Sequence, residues 1–124
     1  MRGGEYIEYL QELLGGLGSV QARRMFGGHG LYHEGLMIGL VAQDRLYLKT
    51  DAESQARFRE AGSEPFVYRG GGRTVEMSYW SAPEEALDAA HAMLPWARLA
   101  YAAAVRAAAA KAAKPARRRR SGQT

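Results

Sequence analysis

The sequence predicts an α+β domain: a five-stranded, mainly antiparallel sheet with helices packed on one face. Three observations predict it. Apolar residues recur at helical spacing near the start. The period then falls to two through residues 20–49 and again through 65–80, each block punctuated by turn residues. The last third is dominated by alanine, a strong helix former, with 17 alanines among residues 82–116. The strand blocks are not interleaved with helices one by one, so the order α-β-β-β-α-β-β-α-α calls for hairpins and not for βαβ units.

Residues 5–17 carry Ile7, Leu10, Leu14 and Leu17 on one helical stripe, widened by Tyr6 and Leu13. Glu5, Glu8 and Glu12 lie toward the N-terminal side, where the helix dipole favours them. Gly18 closes the helix. Val20–Phe26 is a candidate first strand leading into Gly27-Gly28. Gly30–His33 and Leu36–Val41 flank Glu34-Gly35, a two-residue hairpin signal of the Asp-Gly kind. Leu36–Val41 is apolar on both faces, as a central strand is. Ala42–Asp44 turns the chain into Arg45-Leu46-Tyr47-Leu48-Lys49, which alternates with Leu46 and Leu48 inward.

Thr50 and Glu53 have capping-box spacing, predicting a short helix over about Asp51–Ala61 that stops at Gly62. Pro65–Arg69 and Arg73–Trp80 flank Gly70-Gly71-Gly72, a hairpin with a flexible loop. Ser81, Pro83 and Glu84 give a helix start with Ser81 as cap. Pro95 breaks that helix, and a second one over 96–114 packs through Trp96, Leu99, Ala100 and Ala103. Alanine buries little area, so the helix beyond about Val105 is expected to be undocked.

Length and composition set the bounds. The chain has 124 residues, 47% hydrophobic and 24% charged, enough for one globular core. With no cysteine, disulfide scaffolds, thiolate metal sites and cysteine nucleophiles are excluded. Met1–Glu5 offers no apolar leader region, and no stretch reads as a membrane span, so a cytoplasmic protein is expected. The net charge of +4 is concentrated. Residues 111–124 hold Lys111, Lys114, Arg117, Arg118, Arg119 and Arg120 with no acid. The other 110 hold 11 Lys and Arg against 13 Asp and Glu, a net of −2. The expected organisation is a domain over 1–110 and a basic disordered tail over 111–124. Such a tail can contact nucleic acid weakly and without sequence preference.

Arg24-Met25-Phe26-Gly27-Gly28-His29-Gly30-Leu31-Tyr32 is the most distinctive block. With Gly35, Leu46–Lys49, Pro65–Tyr68 and Met77–Glu84 it resembles the TfoX N-terminal domain family over roughly residues 5–105. The resemblance implies a small α+β domain of the element order above. It also implies regulation of natural competence, acting with the cyclic-AMP receptor protein at competence promoters and without catalysis. The competence regulators carry a second domain where this chain has an alanine-rich helix and four arginines. The resemblance makes Arg24, Met25, Phe26, Gly27, Gly28, Gly30 and Tyr32 the candidate motif residues, structural or partner-binding, and a regulator or the transcription machinery the expected partner.

Catalytic and cofactor chemistry find little support. His29 and His33 on one strand face would stand about 13 Å apart, too far to share a metal. The clusters Gly27–Gly30 and Gly70–Gly72 match no phosphate-loop pattern and are better read as tight backbone geometry. The serines lack a nucleophile-elbow context, and Glu84, Glu85 and Asp88 sit in a helix start. Trp80 and Trp96 read as core residues, because they lack the interleaved basic and aromatic strand of RNA binders. No metal, cofactor or catalytic residue is therefore expected. Two further readings remain open: a nucleic-acid accessory protein binding through its tail, and a ligand-binding or enzymatic domain with a pocket near Met25–Tyr32.

Overall fold

A computed structural model describes residues 3–25 and 27–113. Helix α1 spans Gly3–Leu13 and tightens into a 3-10 turn over Leu14–Gly16. Gly18 follows at φ +135°, and a Cβ there would strike the His33 ring at 2.6 Å, so a left-handed backbone and a close approach both call for glycine. Strands β1 (Gln21–Met25), β2 (Gly28–His33), β3 (Leu36–Ala42) and β4 (Arg45–Lys49) then run as a meander. Helix α2 (Gln55–Glu60) carries the chain to β5 (Pro65–Gly70), and β6 (Arg73–Ser81) returns beside β4. The strand order is β1-β2-β3-β4-β6-β5, all pairs antiparallel.

The sheet thus has six strands where five were expected. Gln21–Met25 pairs in full with β2, from Gln21 opposite Tyr32 to Met25 opposite Gly28, so the first block holds four strands. Two-residue turns with positive φ at both positions close three hairpins: Glu34-Gly35, Gln43-Asp44 and Gly71-Gly72. Their twist matches that of the flanking strands. Gly70 belongs to β5, so the triple-glycine segment is a tight turn and not a loose loop.

The final helical region also differs from expectation. Ser81 ends β6 instead of capping a helix. Its backbone N–H donates to the Glu64 carbonyl at 2.8 Å, and its hydroxyl accepts from the Glu64 N–H at 3.0 Å. A 3-10 turn over Glu84–Asp88 follows, then one unbroken helix, α3 (Ala90–Ala112), which runs through Pro95. The break expected at Pro95 falls at Ala89, whose backbone is extended. Pro95 is only the sixth helical residue. The carbonyl it leaves unpaired is that of His91, an exposed residue whose backbone can meet water.

The predicted capping box is also rearranged. Thr50 is buried, and its hydroxyl donates to the Ser78 carbonyl at 3.1 Å. Asp51 takes the capping job, its Oδ1 accepting from the N–H groups of Glu53 and Ser54.

All helices lie on one face of the sheet. Leu10 and Leu14 meet Leu31, Ile38, Leu46 and Leu48 from the strands, with Phe58 of α2 and Met93 of α3 sealing the cluster. The α3 stripe is Ala97, Ala100, Ala103 and Ala104, all buried, with Trp96 and Leu99 half-buried beside it. One extra residue in β3, between the partners of Leu31 and Tyr32, turns Ile38 inward and Met37 and Leu40 outward. This bulge explains why β3 is apolar on both faces in the sequence.

Helix α3 stays docked as far as Arg106, close to the limit expected at about Val105. Arg106 forms a two-point contact with Asp51, Nε to Oδ2 at 2.6 Å and Nη2 to Oδ1 at 3.0 Å, and its Nε lies 3.2 Å from Glu53. The Arg106 hydrogen bonds hold the Asp51 carboxyl below its ordinary pKa. Beyond Arg106, residues 107–113 are exposed or half-buried.

Candidate functional site

The motif block Arg24–Tyr32 is the β1–β2 hairpin. Gly27 sits at φ +78°, and a Cβ on Gly28 would lie 2.0 Å from the Val41 carbonyl oxygen, closer than any side chain can approach. Here β2 and β3 run together at a distance only glycine permits. Gly30 has another function. A Cβ there would meet Met25 Cε at 2.6 Å and the Tyr32 ring at 3.1 Å, so its missing side chain lets both residues lie flat over the strand. Arg24 is exposed opposite His29, while the Arg23 guanidinium covers the Tyr32 ring at 5.0 Å. Phe26 lies outside the described residues, as do Lys114 and Arg117, Arg118, Arg119 and Arg120 of the tail; Lys111 is exposed near the end of α3.

A depression of about 180 Å³ does border this block, lined by Tyr6, Gly27, Gly28, His29, Gln43 and Asp44 among others. It is small beside the several hundred Å³ of typical ligand pockets. His33 points elsewhere. It is buried, its Nδ1–H donates to the Ser19 carbonyl at 2.8 Å, and its ring packs edge-on against Tyr101. That hydrogen bond fixes the chain between α1 and β1. Among the described residues, no group of three His, Asp or Glu side chains is placed to hold a metal, and no helix is long and apolar enough to cross a membrane.

The sequence reading missed the face of the sheet turned away from the helices. Strand alternation and register place Arg23 and Met25 of β1, Tyr32 of β2, Met37 and Leu40 of β3, and Arg45, Tyr47 and Lys49 of β4 on that face. Tyr79 and Met77 of β6 and Phe66 and Tyr68 of β5 continue it. None of these side chains belongs to the core cluster.

Their contacts knit the face together. Arg45 lies 5.6 Å from the Tyr47 ring, Lys49 lies 5.0 Å from the Tyr79 ring, and Tyr47 packs edge-to-face on Phe66 at 4.9 Å. Burial, with a smaller contribution from Tyr32, pushes the Tyr79 phenol up to about 12. Burial also lowers the Lys49 ammonium, partly offset by Asp51. Its Nζ donates to Ser78 Oγ at 2.8 Å. The interleaved basic and aromatic strand found lacking around the tryptophans is thus present in β4, at Arg45, Tyr47 and Lys49. The signal for it in the sequence is the alternation in 45–49, whose inward leucines imply that Arg45, Tyr47 and Lys49 face the other way.

The chain is similar in sequence to known proteins. A stretch of 52 residues is 46% identical to the DNA transformation protein TfoX1 of Aliivibrio fischeri, covering 42% of this chain and 25% of that protein, so the match spans about a quarter of the relative's length. The model of the TfoX N-terminal domain matches residues 12–104, from the last two residues of α1 through the buried part of α3. With that match running through every strand of the sheet, the chain belongs to the TfoX N-terminal domain family.

Proposed function

We propose that this chain is a non-catalytic regulatory module of DNA transformation, acting in the cytoplasm by docking a protein of the transcription machinery or one of its regulators. The observation that carries this reading is the family match over residues 12–104, together with the relative's name as a DNA transformation protein. The interior supports it. Among the five buried polar side chains of the described residues, His33, Thr50, Ser54 and Ser81 are engaged in hydrogen bonds that fix turns or join elements, and the Ser63 hydroxyl is without a partner. Groups used in this way are poorly placed to move protons on a substrate. The test is a chimera in which this domain replaces the matching segment of Aliivibrio fischeri TfoX1. Transformation frequency should recover in a strain lacking TfoX1. A chimera that accumulates normally yet restores nothing overturns the reading.

A second reading is favoured by the six cations and no acids of residues 111–124. In it the tail adds weak, sequence-independent contact with nucleic acid, steeply dependent on salt. Gel shifts across a salt series, with and without residues 111–124, test it. Undiminished low-salt binding by the shortened chain would show that the tail is not the contact.

A further inference from the structure

We propose that the helix-free face of the sheet is a platform for single-stranded nucleic acid, with bases stacking on Tyr32, Tyr47 and Tyr79 and phosphates met by Arg23, Arg45 and Lys49. Three features lead there. The first is exposure of the wrong residue types for a plain solvated surface. Met37, Leu40, Phe66 and Met77 are half-buried among the tyrosines, and Tyr68 and Val75 are 55% and 42% exposed at one end of the sheet. Apolar and aromatic side chains grouped on one uncovered face are the mark of a contact surface.

The second is charge. The body outside the tail is net −2, yet the strand positions of this face carry Arg23, Arg45, Lys49 and Arg73 and no acid. Glu64, one residue ahead of β5, is held 3.6 Å from Arg45. A second copy laid face to face would set these cations against their like, which costs affinity. A phosphodiester chain supplies the missing negative charge at regular intervals.

The third is interleaving. Three of these cations lie on ring faces at 5.0–5.6 Å, so aromatic surface and positive charge come in adjacent pairs across β1–β2, β4 and β6. Aromatic rings that accept bases, with cations beside them for the backbone, are the working parts of single-strand binders. A guanidinium plane on a ring also extends the stacking surface. A duplex hides its base faces and cannot use the rings, so the occupant is single-stranded. This site is separate from the tail and does not depend on the competence role.

The experiment uses the full chain with Lys111→Ala, Lys114→Ala and alanine at the four tail arginines, so that tail binding is absent. Fluorescence anisotropy follows a labelled oligothymidylate of about 16 nucleotides, a site size drawn from known single-strand binders. Saturable binding at low salt is expected, with duplex DNA of equal length competing at least tenfold less well. The double variant Tyr32→Leu/Tyr47→Leu should lose about tenfold per ring, while Tyr32→Phe/Tyr47→Phe should keep most of the affinity. If the leucine variant unfolds early in a melting scan, Arg23→Gln and Lys49→Gln replace it, each expected to reduce the salt slope by about one. Absence of binding, equal competition by duplex, or full affinity in the folded leucine variant overturns the proposal. A dimer in sedimentation that the leucine substitutions dissolve, with no oligonucleotide bound, assigns the face to a second copy and overturns it too.

Discussion

The two faces of the sheet are built from the same strands and face different demands. The helix-covered face presents Leu31, Ile38, Leu46 and Leu48, all essentially inaccessible, to Leu10, Phe58 and an alanine stripe. The open face presents tyrosine, methionine and long basic side chains that shield one another. Leucine, isoleucine and alanine fit a dry interior because they carry no polar atoms to satisfy. Tyrosine and arginine bury an apolar body while a polar end stays wet. Composition alone therefore distinguishes the face that holds the fold from the face left for contact.

The sharpest way to break this comparison is to hollow out the covered face. Phe58 is fully buried and packs edge-to-face on Trp96 at 5.0 Å. Phe58→Ala should cost about 3–5 kcal/mol in denaturant unfolding. If it costs no more than Tyr47→Ala on the open face, the assignment of the two faces is wrong.

Glycine substitutions sharpen the same contrast. Gly28→Ala drives a methyl into the Val41 backbone carbonyl, which cannot move away, and should cost about 1–3 kcal/mol or more. Gly30→Ala meets only Met25 and Tyr32, side chains on the open face that can lift. Its thermal midpoint should fall distinctly less, and the measurement is a paired melting curve.

Titration reports on the open face directly. The Tyr79 phenol stays protonated in the folded chain up to about 12, against 10 when unfolded. Its contribution to stability is complete below pH 10 and is lost as pH rises toward 12. Ultraviolet titration should show a late-ionising phenol that Tyr79→Phe removes, along with part of the alkaline loss of stability.

The smallest effect concerns Asp51 and Arg106. The Asp51 carboxyl is held below 3.8, so its contribution is complete above that value and lost as pH falls through the lowered one. Arg106→Gln should reduce the midpoint slightly at pH 7 and not at all in strong acid. An equal drop at both extremes would mean Arg106 acts by packing alone.

Much of the covered face was legible in the sequence because it follows local rules. The alternation of 45–49 put Leu46 and Leu48 inward, and Glu34-Gly35 formed the hairpin turn its sequence encodes. The misreadings came where a distant partner decided the outcome. Ser81 had the form of a helix cap, but Glu64, seventeen residues earlier, holds it in a strand. Pro95 looked like a break, but its place near the helix start left only one carbonyl unpaired. The open face depended most on distance in sequence. Tyr32, Tyr47 and Tyr79 come together only through the register of four strands, and no spacing along the chain announces that.

The Arg106–Asp51 clasp has a mechanical consequence. It is the last anchored point of α3, and the helix continues six residues further, to Ala112. At 1.5 Å per residue that is a rigid stalk of about 9 Å. Anything joined at Ala113 starts from a fixed mooring clear of the body, so its reach is measured from the stalk tip. A short stalk narrows the volume that a tethered segment explores and raises its effective concentration near whatever the body has bound. Lengthening or severing the stalk would change that concentration without altering a single contact on the sheet.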